Sequence, residues 1–506
     1  MTVMIISFLN VSIISLIASN TRGYASHMVL QMEPKRAHVW GFGVPGSQVT
    51  LTFADVDTST TVAETEMWEL WIPPQEAGGP HTLRFKHAEE SGGQVTQVKL
   101  GGVLFGDVWF CFGEGNMEFF MRSLENYEEE AALVGNYFGM RFFHVGRAEA
   151  GEEQQEIGQN IEQSWTTINN GTIEWISAEC VFFGQMLSDF LPARPIGLIE
   201  FAWTATSLQA WLPKKVIQEC LTPESDGPHP ESGIHNGVVH PLSKISAKGI
   251  IWDHGESVQN SLNKSEFLCA TLGLFSHWRS TFAEAAQNDL AIGVVQLGPD
   301  AIVGVSEGEA ASVRFFQNEL ANDPENSLFT ASTFDLVDNT TAEESANCFT
   351  ALFNSKRIVT ERLFRSAKEV VFSTENTTTL KFELSKTDSA QIEVQFSEDI
   401  ILNGSHGFSY STCAKCKNWT AAAVVGVSGR RLQLEAPPLG ATVLGYAVHR
   451  TPCLRLQCAV YDSQRLPLQP KVLPLPSGAS VLQLTASLIA IVIHRAFIAY
   501  FLNIII

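Results

Sequence analysis

The sequence predicts an α/β core flanked by two β-rich domains, one on each side in the chain. Between Val103 and about Val371, short apolar runs alternate with longer helix-like stretches, the rhythm of a parallel sheet with crossover helices. Before and after that region, apolar and polar residues alternate with period two, as in half-buried strands. With 506 residues, 45% of them hydrophobic and 17% charged, the chain can bury a large core over two or three domains.

In chain order, residues 1–23 hold "VMIISFLNVSIISLIAS", an apolar run that closes on small residues and reads as a signal peptide rather than a membrane anchor. Residues 24–100 read as an N-terminal β-domain, from "QVTLTF" and "HTLRF" and the turn signals "GVPGS" and "EAGGP". In the α/β domain, residues 101–371, the expected strands are "VLFGDVWF", "PIGLIEFAW", "KGIIWDHG" and "AIGVVQLG". The expected helices are "ISAECVFFGQMLSDFL", "SEFLCATLGLFSHWRSTFAEA" and "SKRIVTERLFRSAKEV". Strand alternation returns over residues 372–462 in "TLKFELS", "QIEVQFS" and "RRLQLEA". Residues 463–480 are rich in Pro and Leu and read as a stalk. Residues 481–506 are almost wholly apolar and long enough to cross a bilayer. Ser477, Gly478 and Ala479 precede that tail, leaving two readings: a signal exchanged for a GPI lipid anchor, or a transmembrane helix.

The net charge of -21 argues against a nucleic-acid partner, because a phosphate-binding surface needs clustered Lys and Arg. Sequons at Asn170, Asn263, Asn339, Asn376, Asn403 and Asn418 fit a glycosylated secretory chain, extracellular or at the cell surface, with the lysosome as an alternative. Nine cysteines fit an oxidising compartment. Cys413, Cys416, Cys453 and Cys458 read as two disulfides pinning the C-terminal sheet; the rival is a zinc site, which Pro452 and its apolar neighbours fit poorly. An odd number leaves at least one thiol over.

"VLFGDVWF" runs into "CFGEGNMEFF", Cys111–Phe120: a strand, a Gly turn and a helix start, where many hydrolases hold a nucleophile clear of the sheet. Yet no Ser, Thr or Lys lies in that stretch. "DHGES" sets Asp253, His254 and Ser257 within five residues, but successive side chains of a strand point to opposite faces, so cleft lining is the simpler reading. His235 and His240 read as hydrogen-bonded core histidines, and Trp203, Trp211 and Trp252 as packing residues. No metal and no cofactor are expected.

Four stretches in order resemble the sialate O-acetylesterases, secreted serine esterases with a flavodoxin-like (SGNH hydrolase) three-layer core. They are "MVLQMEP" with "VWGFGVPGSQVTL", then "GDVWFCFGEGNMEF", "PIGLIEFAWTATSLQAW", and "IHNGVVHPLSKISAKGIIWDHGES". The resemblance spans Met28 to Tyr461, and its departures bear on activity. The family's attacking Ser falls at Gly115, between Glu114 and Asn116, and the glycines of the turn are expected to be Gly113 and Gly115. The family's general base is a His before a late helix; here "DNTTAEESANCFTALFN" holds Cys348 and no His. "WTAT", Trp203–Thr206, replaces W-G-G-T, so Thr204 and Ala205 are expected to crowd the oxyanion donors. The resemblance implies a cleft lined by Glu114, Asn116, Trp203, Thr204, His254 and Glu256, with no catalytic residue intact. The departures point to an inert relative that binds O-acetylated sialoglycans, other glycans or a protein without turnover, and a structural surface glycoprotein with no pocket function is the further reading. The alternative is an active esterase with a relocated group, His254 acting through water with Glu256 or Glu114.

Overall fold

The computed structural model describes residues 24–88, 95–157, 161–169, 171–222, 229–257, 262–282, 289–298, 307–323, 326–336, 355–373, 380–387, 391–414, 418–449 and 451–476. The leader, the apolar tail, residues 337–354 and the sequons at Asn170, Asn339 and Asn376 lie outside the described residues. The chain falls into two compact units. One takes Met1–Leu297, Glu319–Ala331 and Thr340–Asn376; the other takes Gly298–Asn318, Ser332–Asn339 and Thr377–Ile506.

The first unit opens with antiparallel strands. Gln48–Phe53 pairs with Val56–Thr61 and Gly78–Ala88, and Ala37–Phe42 pairs with Met67–Ile72. The strand that follows, β1 (Val95–Gly113), is 19 residues long. Its first half pairs antiparallel with Gly78–Ala88, and its second half enters a parallel sheet. The expected boundary at residue 100 therefore falls inside a continuous strand.

The parallel sheet adds β2 (Met140–Val145), β3 (Ile196–Ala202), β4 (Gly249–Asp253), β5 (Ala291–Val295) and β6 (Leu328–Ala331). Its order is β6-β5-β4-β1-β3-β2, with Ile161–Thr167 antiparallel at the β2 edge. Every residue of β3 and β4 is buried, as expected of strands covered on both faces. Helices α1 (Ala178–Phe190) and α3 (Lys356–Val370) fall within the predicted stretches, and α2 (Lys264–Thr281) starts one residue before its own. Ser177 caps α1 by accepting the Cys180 N–H at 3.2 Å. Asn263 and Glu266 form a capping box on α2. Asn263 is thus an exposed sequon residue whose Oδ1 also caps a helix.

Among the described residues two disulfides staple this unit, Cys111–Cys180 between β1 and α1, and Cys220–Cys269. Neither was legible in the sequence, because crossover topology rather than local spacing brings cysteines 69 and 49 residues apart together.

The second unit is antiparallel. Gln391–Phe396 pairs with Phe382–Thr387 and Arg431–Glu435, and Phe408–Ser411 pairs with Val443–Tyr446. Its core gathers Phe382, Phe396, Phe408, Tyr410, Tyr446 and Tyr461. Cys453 and Cys458 are bonded to each other; Cys413 is disulfide-bonded, and Cys416 lies outside the described residues. Asn403 and Asn418 are exposed. The segment expected to be a stalk is folded instead: Lys471–Pro474 pairs with Val443–Tyr446. Prolines are compatible with that strand because it lies at a sheet edge, with one side free of ladder bonds.

Candidate active site

The site is built at the carboxyl end of the central strand, where parallel α/β sheets place ligands. Gly113 closes β1 opposite Ala202 of β3 and Asp253 of β4. A Cβ on Gly113 would stand 2.0 Å from the Asp253 carbonyl oxygen, so only glycine lets the strand ends meet. The chain then turns once, the Glu118 N–H donating to the Glu114 carbonyl at 2.8 Å. No long helix opens there. The Met121 N–H bonds the Ile176 carbonyl and the Ala178 N–H bonds the Phe119 carbonyl, holding Phe120 extended opposite Ser177. A short 3-10 turn follows at Met121–Ser123, and an α-helix begins only at Tyr127.

Gly115 differs from Gly113. A Cβ there would meet Thr204 Oγ1 at 3.5 Å and Cγ2 at 3.6 Å, which are ordinary contacts. The backbone does not demand glycine at 115, contrary to the sequence reading. A side chain fits, and none is present.

Behind the turn lies a buried polar cluster. Lys356, at the start of α3, donates to the Asn116 carbonyl at 2.8 Å, to Asn116 Oδ1 at 2.9 Å and to Glu179 Oε1 at 2.8 Å. Asn116 Nδ2 donates to Glu256. Glu114 Oε1 accepts the N–H groups of Gly255 at 3.1 Å and Ser257 at 2.9 Å. Burial pushes the Glu114 carboxyl up, and burial with the adjoining Glu114 pushes Glu256 to about 8. Asp253 is driven up as well, by burial and then by Glu179 and Glu256. These groups therefore fix the turn to β4, α1 and α3.

His254 is 4% exposed and lies flat on Trp252, ring centroids 4.7 Å apart. Its Nε2 is 3.1 Å from the Thr206 carbonyl, which can only accept, so that nitrogen carries a proton and donates it. Nδ1 stands 3.5 Å from Glu114 Oε1. Burial holds the ring's pKa down to about 4, so it is neutral. Among the described residues two Ser–His hydrogen bonds occur, Ser47–His87 among the N-terminal strands and Ser409–His449 within the second unit, and neither includes a residue of the Gly115 turn.

Glu118 was not singled out from the sequence, yet it organises the mouth of the site. Its Oε2 accepts the Thr204 N–H at 2.7 Å and also the Thr204 hydroxyl, while Oε1 pairs with Arg147. The Thr204 N–H is thereby committed to a carboxylate. Arg147 stacks over half-buried Trp203, 5.4 Å from the ring centroid, and His229 meets the same ring edge-on at 4.8 Å. Beside Glu118 opens a cavity of about 520 Å³ lined by His144, Arg147, Trp175, Ile176 and Ala202. Glu118 and Thr204 lie 86 residues apart in sequence, and Arg147 lies outside every motif, so no local pattern marks this group.

A family model described as the sialate O-acetylesterase C-terminal domain matches residues 370–474. The sialate O-acetylesterase of Homo sapiens is 29% identical over 490 residues, covering 88% of this chain and 90% of its own length. That of Mus musculus is 27% identical over 516 residues, covering 88% of this chain and 92% of its own. In structure, a carbohydrate acetylesterase from Xanthomonas citri aligns with a TM-score of 0.75 at 20% identity, over 90% of this chain and 99% of that one, and shares the fold. Over nearly nine-tenths of its length the chain is similar in sequence to the sialate O-acetylesterases, and over a comparable span it shares its fold with a carbohydrate acetylesterase.

Proposed function

We propose that the chain is a secreted or surface-anchored glycoprotein that binds O-acetylated sialoglycans or related glycans without hydrolysing them. The observation that carries the reading is Gly115, which leaves a side-chain-sized space against Thr204 where the family's pattern puts the attacking hydroxyl. Two further features support it: the Thr204 N–H is spent on Glu118, and the neutral His254 spends its Nε2–H on a carbonyl. A nucleophile and base act as a unit, so losing both removes roughly four to six decades of rate. On this reading the core is the three-layer flavodoxin-like arrangement, which the parallel strand order and the intervening helices support. The cavity beside Glu118 is the binding pocket, with Trp175 offering a ring face to a sugar. A sialoside carboxylate would compete with Glu118 for Arg147. The Cys111–Cys180 and Cys220–Cys269 bonds favour an oxidising compartment, and the apolar tail supplies the membrane attachment.

A chromogenic acetyl ester tests the proposal. The purified secreted chain should hydrolyse it no faster than a heat-killed sample. A Gly115→Ser variant should fold normally and gain little activity without a base. On a glycan array, binding confined to O-acetylated sialosides supports the pocket, and blank arrays point to a structural surface role. Rapid turnover by the native chain would overturn the inert reading. One observation favours an active alternative: the Thr204 hydroxyl lies against the Gly115 slot and donates to Glu118. Turnover abolished by Thr204→Val would establish it.

A further inference from the structure

A second constellation lies in residues that the esterase-like cleft does not use. His235 and His240 stand at the ends of a π-helical turn, His235–Val239, closed by the His240 N–H on the His235 carbonyl. In an α-helix, residues five apart are rotated by about 140° around the axis. The wider i→i+5 turn brings His240 back toward the His235 side. A neighbouring segment is docked against this turn. The Ala150 N–H bonds the Gly233 carbonyl at 3.0 Å, the Gln154 N–H bonds the Asn236 carbonyl at 2.9 Å, and Asn236 Nδ2 bonds the Ala150 carbonyl at 3.1 Å. Gly237 permits the approach, since a Cβ there would stand 3.0 Å from the Ala148 carbonyl oxygen.

That docking delivers Glu153. Its Oε1 is 3.5 Å from His235 Nε2, and its Oε2 is 3.5 Å from His240 Nδ1. One ligand atom from each of the three residues lies within 4.8 Å of the others. His277 of α2 meets the His235 ring edge-on, centroids 5.0 Å apart. His235 is 1% exposed, and neither of its ring nitrogens has a hydrogen-bond partner among the described residues. A buried polar group without a partner costs about 1–3 kcal/mol, so this pattern calls for an occupant. Two ligand atoms each about 2.1 Å from a tetrahedral ion stand about 3.4 Å apart, close to the spacing already present. Two imidazoles and a carboxylate suit zinc and its first-row neighbours, whereas calcium and magnesium prefer all-oxygen shells. The Glu153 side chain is 52% exposed and that of His240 23%, which leaves a solvent-facing side for a water ligand.

We propose that Glu153, His235 and His240 form a zinc(II)-binding site, with His277 beside it. The full secreted chain, stripped with a chelator and dialysed, is titrated with zinc chloride, and retained metal is read by mass spectrometry after gel filtration. About one zinc per chain is expected, and cobalt(II) in its place should show the visible bands of tetrahedral coordination. Glu153→Gln and His235→Asn should each weaken zinc affinity at least about tenfold. Glu153 is exposed, so its variant keeps the fold and decides the matter even if the buried substitution does not. Failure to retain zinc overturns the assignment, as does stoichiometric zinc whose affinity Glu153→Gln leaves unchanged.

Discussion

Ala205 adopts a φ of 64°, a left-handed conformation that costs a residue with a Cβ about 1–2 kcal/mol, whereas Gly115 leaves room for a side chain it lacks. Ala205→Gly should therefore raise stability by up to about 1 kcal/mol, seen as a higher Tm, the gain being trimmed by glycine's extra freedom in the unfolded chain. Gly113→Ala should do the reverse and cost at least about 2 kcal/mol, because its Cβ would lie 2.0 Å from the Asp253 carbonyl oxygen. The position of the turn was readable from an apolar strand running into glycines. Which of the two glycines was obligatory was not, because the answer depends on Asp253, far along the chain. Glu118 was missed for the same reason: its significance lies in Thr204 and Arg147, partners that only the folded sheet brings together.

Among the elements, the Cys111–Cys180 bond joins the strand that carries the turn to the helix whose Glu179 holds Lys356. Closing a loop of 69 residues restricts the unfolded chain by about 4 kcal/mol on the chain-entropy account. Replacing both cysteines with Ala should lower stability by about that much, measured as a shift in urea midpoint. Strands such as "PIGLIEFAW" were legible because continuous burial leaves a run of apolar residues broken only by Glu200. The strand at Lys471–Pro474 was not, since an edge position tolerates the proline that argued for a stalk.

Over the whole molecule, buried ionisable groups set opposing pH dependences. Glu200 is fully buried and burial pushes it to about 8, so the native chain keeps a proton that the unfolded chain releases near 4.5. Stability from this group is therefore lost as pH rises from about 4.5 toward 8. His254 acts oppositely. Held to about 4, it stays neutral in the native state while the unfolded chain takes up a proton below 6.5, so its contribution is lost as pH falls through that window. The two offset each other in mild acid, and above 6.5 the carboxyl's decline remains, shared with Glu256, which burial also holds at about 8. A Tm series from mild acid to alkaline pH should show that decline. Glu200→Gln should flatten it by up to about 1.4 kcal/mol per pH unit.

The strand Val95–Gly113 has a consequence for any attempt to divide this protein. A version beginning at residue 101 would start in mid-ribbon, stripped of the hairpin that covers its flank. Raw backbone would then face water along the torn border and invite other copies to stitch on. Such a trimmed chain should precipitate on expression, so the front strands and the α/β core have to be produced as one piece.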